Sequence, residues 1–315
     1  MHVGAITGVA SGSPFDPASP QAGAIRDLFT SALLICGAVF LVVTCLLGYC
    51  VVRFRAKDDE EPEQIAGNTR LEIAWTIAPV LIVSWLLALT VRAMGTSDPP
   101  IDRDPDVTII AHQWWWEARY PSGVITANEI HVPVGRPLVV RLESSDVIHD
   151  FWVPELGRKL DATPGRTGNI WLEADRPGTY AGACAEYCGA QHAWMRILVV
   201  AETAAEFAQW QSHQLAAAPV AIEGSAARGA ATFRSMTCVS CHAISGGTEN
   251  ARVAPDLTHI AARTTIGAGA LPNTPAALAQ WLHNPQEIKP GCHMPDAQLT
   301  DAQVSDLVAY LETLR

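Results

Sequence analysis

The chain has 315 residues, with 21 Lys and Arg against 32 Asp and Glu and a formal net charge of -11. So acidic a chain, carrying no basic run, is excluded as a nucleic-acid binder held by phosphate contacts. Charged residues are only 17% and mean hydropathy is positive, which excludes an intrinsically disordered chain and points to a part lying in a membrane.

Residues 1–24, rich in Gly, Ser, Pro and Ala, read as a flexible outer leader, compatible with a signal sequence already removed. Leu28 to Val52 then runs for 25 residues without a charge. That is long enough to cross a hydrocarbon core of ~30 Å at about 1.5 Å per residue. A second uncharged run, Ile73 to Val91, has 19 residues and contains Pro79, which a membrane helix tolerates. Together they predict a transmembrane helical hairpin over 25–95. Arg53, Arg55, Lys57 and Arg70 flank the intervening loop, against Arg26, Arg92 and Arg103 at the outer ends. The positive-inside rule counts bases, so the acidic run Asp58-Asp59-Glu60-Glu61-Pro62-Glu63 does not reverse the reading. The loop is expected on the cytoplasmic side, with both termini outside.

Residues 96–205 alternate short apolar runs with Gly, Pro, Asp and Asn turns, predicting an all-β domain. The stretch 96–215 holds sixteen acids and nine bases. That excess either steers a basic partner or serves solubility alone. Within this region stand Cys184, Cys188, His192 and Met195, spaced C-x-E-x-C-G-x-x-H-x-x-M. Two thiolates, an imidazole and a thioether form a soft ligand set suited to copper, and His149 of the DVIHDFWVPELG segment can complete it. A structural disulfide is the plain alternative in an oxidising compartment, but it has no need of His192 or Met195 at these offsets.

This run, the upstream His149 and the paired apolar helices resemble cytochrome c oxidase subunit II over residues ~25–205. The resemblance implies a cupredoxin-like domain with a binuclear CuA centre, in which Cys184 and Cys188 bridge two coppers. His149, His192, Met195 and the Glu186 carbonyl would complete the site. It also implies that Trp114, in Gln113-Trp114-Trp115-Trp116, is where electrons enter, while core packing is the alternative reading for such rings. Glu72 matches a family acid at the mouth of a proton channel in the catalytic subunit, though an acid there also suits a helix N-terminus. The Glu186 carboxylate is a candidate for a Mg2+ shared with that subunit, or else a solvated loop acid.

Residues 206–221 read as a linker, and 222–315 as a second outer domain. Cys238-Val-Ser-Cys241-His242 is the c-type haem attachment pattern. Downstream, NPQEIKPGCHMP offers Met294 as sixth ligand, with His293 as competitor. These motifs resemble the class I cytochrome c fused to some oxidase subunits II. The resemblance implies Met294 as ligand and a Pro255 carbonyl that orients His242. Val304, Leu307, Val308 and Leu311 predict an amphipathic closing helix. Cys36, Cys45 and Cys50 read as small apolar fillers, and Cys292 has no assigned role.

The whole therefore resembles a caa3-type oxidase subunit II: a two-pass protein of a bacterial inner membrane with both redox domains on the periplasmic side. By that resemblance, a cytochrome c or cytochrome complex reduces haem c. CuA then passes electrons to the catalytic subunit I, which reduces O2 with proton translocation among the other oxidase subunits. The alternatives are a CuA-containing subunit of a nitric oxide reductase and a copper-carrying assembly protein.

Overall fold

The structure is a computed structural model that describes residues 12–55, 66–97, 103–221, 223–244 and 253–315. The first eleven residues of the expected leader, Lys57 and the acidic run 58–63 lie outside the described residues. By its contacts the chain divides into one body of residues 23–99 and another of residues 1–22 with 100–315.

The first body is made by two helices, α1 (Pro20–Arg53) and α2 (Thr69–Ser97). Their apolar stretches have mean hydropathy 2.6 and 2.0, and no residue of either stretch is buried. Helices apolar on all sides, with Leu34, Phe40, Leu81 and Trp85 facing outward, are what a lipid environment favours. Asn68 Oδ1 accepts hydrogen bonds from the amides of Arg70 and Leu71 and caps α2.

The second body contains a β-sandwich and a small helical domain. The strands are β1 (Val107–His112), β2 (Trp115–Arg119), β3 (Ile125–Ala127), β4 (Glu129–Pro133), β5 (Leu138–Ser144), β6 (His149–Trp152), β7 (Leu160–Ala162), β8 (Gly168–Leu172), β9 (Gly178–Cys184) and β10 (Arg196–Glu202). They form two five-stranded sheets, ordered β3-β2-β1-β5-β8 and β4-β10-β9-β6-β7. Most neighbours are antiparallel, but β1 runs parallel to β5 and β4 parallel to β10. Alternating apolar side chains close the interior. Ile109, Trp116, Leu142 and Ile170 come from one sheet and Ile130, Phe151 and Ile197 from the other, all essentially inaccessible.

The end of the expected leader is not loose. Ala18 is fully buried in the sandwich core. Its amide donates to the Glu155 carbonyl and its carbonyl accepts from the Asp175 amide, each at 2.8 Å. Ser19 Oγ donates to the Leu156 carbonyl.

Residues 206–214 of the expected linker are helical, as part of α3 (Ala204–Gln214). A capping box between Thr203 and Glu206 starts this helix, and an apolar face ties it down. Trp210 stacks on His131 at 4.2 Å and meets Tyr120 edge-on at 5.3 Å.

The helical domain comprises α4 (Gly224–Ser235), α5 (Pro275–His283), the single turn α6 (Pro285–Ile288) and α7 (Asp301–Leu311). Thr274 and Thr300 cap α5 and α7 with their hydroxyls. The first and last helices touch at Gly229, where a Cβ would lie 2.0 Å from the Asp306 carbonyl oxygen, so only glycine permits this crossing. Arg228 clamps the crossing with two bonds to the Asp306 carboxylate, at 2.9 and 2.8 Å. α7 buries Val304, Leu307, Tyr310 and Leu311. Val308, expected on that face, is only partly buried, and the larger Tyr310 stands beside Phe233 instead.

Candidate functional site

Strand order places the soft donors. In the second sheet β9 lies between β10 and β6, so the end of β9, the start of β6 and the turn into β10 are neighbours. Cys184 closes β9, and its amide donates to the Met195 carbonyl at 2.9 Å. His149 opens β6, where Phe151 pairs with Cys184. The intervening loop returns through a 3-10 turn, His192–Trp194, which brings His192 and Met195 back over Cys188.

The thiol sulfurs of Cys184 and Cys188 lie 3.8 Å apart, whereas a disulfide needs about 2.05 Å. All eight cysteines are free thiols. Around the sulfur pair, His149 Nδ1 is 3.9 Å from Cys184, and His192 Nδ1 is 3.6 Å from Cys188. Met195 Sδ is 3.9 Å from Cys188, and the Glu186 carbonyl oxygen is 3.1 Å from Cys184. The donor atoms of His149, Cys184 and Cys188 all fall within 4.8 Å of one another. His149 and Met195 are fully buried, and Cys184 and Cys188 nearly so. Two central sulfurs flanked by imidazole, thioether and carbonyl donors fit a pair of soft metal ions.

The site's electrostatics favour a thiolate. The hydrogen bond shared with Cys188 holds the Cys184 thiol far below its usual range, and the same contact pushes Cys188 up. Burial opposes a charge on His149, but Cys184 and Asp146 overcome it and raise the imidazole.

Asp146 is a functional residue the sequence reading missed. Its Oδ1 accepts from His149 Nε2 at 2.8 Å, and its Oδ2 accepts from the Gln113 amide at 2.6 Å. A carboxylate on the far ring nitrogen fixes the orientation of a ligating histidine, and the D-x-x-H spacing was the available signal. Asp150, opposite Asp161 in the β6–β7 register, is pushed up to about 7 by burial and by its hydrogen bond with Asp161.

The tryptophans divide. Trp116 is a core ring, set edge-on to His149 and Phe151. Trp115 lies outside the sandwich interior, stacked on His112 at 4.2 Å. Trp114 faces the cysteine loop, and its Nε1 donates to the Cys188 carbonyl at 2.9 Å. Gln113 Nε2 donates to the same oxygen at 2.7 Å. Gly189 allows this approach. Its φ is +115°, and a Cβ would stand 3.0 Å from the Trp114 ring.

In the helical domain, Cys238 lies in a short 3-10 turn (Thr237–Ser240), and the Cys241 and His242 amides bond back to its carbonyl. Both thiols therefore project from one turn. His242 Nδ1 donates to the Pro255 carbonyl at 2.7 Å, which leaves Nε2 available to a metal. Burial holds the imidazole below its ordinary value, in the neutral form that ligates. Met294 packs on the domain core with Cys238. Gln286 fixes its loop by donating to the Cys292 and Met294 carbonyls, at 2.8 and 2.7 Å. These residues fit a covalently attached haem with His and Met ligands. His293 instead turns its ring toward Trp114, 4.8 Å away.

Glu186 is exposed, and its Oε1 accepts from the Tyr187 amide at 3.2 Å. Glu72 lies exposed in the first turn of α2.

Comparison with known proteins gives a consistent result. The family described as "Cytochrome C oxidase subunit II, transmembrane domain" matches residues 12–91, and "Cytochrome C oxidase subunit II, periplasmic domain" matches 122–202. "Cytochrome c" matches 226–315. Cytochrome c oxidase subunit 2 of Alkalihalophilus pseudofirmus is 36% identical, covering 95% of this chain and 90% of its own length. That of Bacillus subtilis is 33% identical, covering 96% and 93%. The crystal structure of the periplasmic domain of subunit II of cytochrome oxidase from Bradyrhizobium japonicum aligns at 31% identity and a TM-score of 0.35, over 36% of this chain and 95% of that one.

Proposed function

Because the chain belongs to the cytochrome c oxidase subunit II family, in a form that carries a cytochrome c domain, we propose that it is the subunit through which electrons enter a caa3-type terminal oxidase. It is a membrane-anchored component of a haem-copper oxidase with an electron-transfer role, and other oxidase subunits are its partners. Cys184 and Cys188 would hold the binuclear copper centre, together with His149, His192, Met195 and the Glu186 carbonyl as further donors. Cys238 and Cys241 would hold the haem covalently, and His242 and Met294 would supply its iron ligands. When bound, these groups supply one-electron carriers between a cytochrome donor and the catalytic subunit that reduces O2 to water with proton translocation.

The protein's own part is to hold those donors still. A buried, hydrogen-bonded set has little freedom to rearrange when one electron arrives. Trp114 links the cysteine loop to the outside of the sandwich through its bond to the Cys188 carbonyl. The Glu186 carboxylate, directed to solvent, is available to a Mg2+ shared with the catalytic subunit. Glu72, at the loop end of α2, serves the mouth of that subunit's proton channel. The basic residues around the loop set both redox domains on the periplasmic side.

The convergence of His149, His192, Met195 and the Glu186 carbonyl on two sulfurs 3.8 Å apart carries this reading. Metal analysis of the purified oxidase, with electron paramagnetic resonance of the oxidised form, tests it. Two coppers sharing one unpaired electron, with one haem iron, are expected per chain. A single copper with a localised electron would overturn the binuclear assignment and favour the assembly-protein alternative. Consumption of NO in place of O2 would move the chain to a nitric oxide reductase.

A further inference from the structure

Away from the metal donors, a second set of buried polar groups joins the helical domain to the sandwich. Glu129 opens β4 and is only 3% exposed. A carboxylate so buried is costly unless hydrogen bonds satisfy it. Its Oε1 accepts from the backbone amides of Thr264 and Thr265, at 2.8 and 2.9 Å. The hydroxyls of the same two residues add bonds at 2.7 and 3.3 Å. All four donors belong to the helical domain, so the carboxylate's solvation depends on that domain being seated.

The other contacts follow the same pattern. Lys289, 3% exposed, donates to the Trp114 carbonyl at 3.3 Å and to the Gly267 carbonyl at 3.1 Å. The Arg196 amide donates to the Ala268 carbonyl, and the Gln191 side chain to that of Pro290. Ala268 packs against Trp115 and Ala127. The seated domain sets His293 against Trp114, which is left 9% exposed.

We propose that Glu129 is a positioning residue that latches the cytochrome domain onto the sandwich through Thr264 and Thr265, keeping the Met294 loop over Trp114 throughout turnover. Transient encounters between electron carriers rely on rim charges that salt screens. A desolvated carboxylate with four donors belongs instead to an interface that separates slowly. The cytochrome is thus a captive donor, and an external carrier meets that domain rather than Trp114. This rests on the reading of Trp114 as the copper-side contact, but the latch is measurable apart from it.

The test uses the intact oxidase carrying Glu129→Ala or Glu129→Gln. Metal content is measured first, then hydrogen exchange of residues 264–270, then the spread of haem-to-copper distances by pulsed paramagnetic resonance. Glu129→Ala should raise exchange of that segment about tenfold or more, the loss expected for hydrogen bonds to a charged group, and broaden the distances. Glu129→Gln, which keeps an accepting oxygen, should restore most of both. Unchanged exchange in Glu129→Ala with full metal content overturns the latch. Should Glu129→Ala fail to assemble, Thr264→Val with Thr265→Val decides. Raised exchange supports the latch, and none overturns it. Absence of metal from the unaltered oxidase would sink the functional reading, while the exchange comparison would still decide the latch.

Discussion

The two domains outside the apolar helices position the residues proposed to hold metal by different means. In the sandwich, Cys184, His149 and Met195 sit at the ends of adjacent strands, so the register of β6, β9 and β10 sets their spacing. Asp146, Gln113 and Trp114 then brace the loops from the other sheet's side. In the helical domain Met294 stands on irregular backbone, and one glutamine amide ties its loop. The donors proposed for copper are spread through a sheet and share the load of many hydrogen bonds, whereas the methionine proposed for the haem depends on few. Perturbation should therefore be distributed in the first case and local in the second.

Three substitutions sharpen that contrast. The largest effect is expected at Asp146→Ala, which frees the far nitrogen of His149 and the Gln113 amide. Loss of such a carboxylate costs about 10–100-fold in metal affinity, and copper titration of the apoprotein would measure it. If copper binding were unchanged, strand register alone would suffice to orient His149.

Next comes Gln286→Leu. It removes the Gln286 bonds to the Cys292 and Met294 carbonyls, each worth about 0.5–1.5 kcal/mol. The near-infrared sulfur-to-iron band of the ferric haem should weaken while copper content stays constant. A band of full strength would mean that packing on the domain core holds the methionine unaided.

The smallest effect belongs to Glu117→Gln, within the sandwich but remote from the donors. Burial opposes the charge on Glu117, yet hydrogen bonds from His112 and Arg119 win and hold its carboxyl below the usual range. A carboxyl whose folded value is depressed adds stability that is present above the unfolded value of about 4.5 and lost as pH falls through the folded one. The variant should unfold about 1 kcal/mol more easily at pH 7. That difference should fade as pH drops below about 4.5. Thermal melts across pH would show it, and a constant difference would assign the effect to packing.

Legibility in the sequence followed range. The apolar runs, the C-x-E-x-C-G-x-x-H-x-x-M segment and C-x-x-C-H are local patterns, and their residue types alone suggest membrane, soft metal and haem. His149, 35 residues before Cys184, stood only as a candidate from another loop until the resemblance gave it a role, because no periodicity links the two. The contacts between Lys289 and Trp114, or Glu129 and Thr264, join residues 175 and 135 apart through pairings that leave no mark on either segment. The stretch after Ala205 misled for another reason. The small residues that suggest flexibility begin only near Ala216, and a linker drawn over 206–221 takes in a segment that the capping box at Thr203 and the stacked rings of Phe207 and Trp210 make helical.

The buried seat of Ala18 has a practical corollary for cutting the protein into pieces. A water-soluble fragment started at residue 103, after the second apolar helix, discards the segment that fills a place in the sandwich interior. The Asp175 amide loses its acceptor and the Leu156 carbonyl its donor, and an apolar notch opens where the Ala18 methyl was. Such a fragment would be less stable and stickier than the same domain in the whole chain. Grafting residues 12–19 ahead of residue 103 through a flexible spacer would repair it.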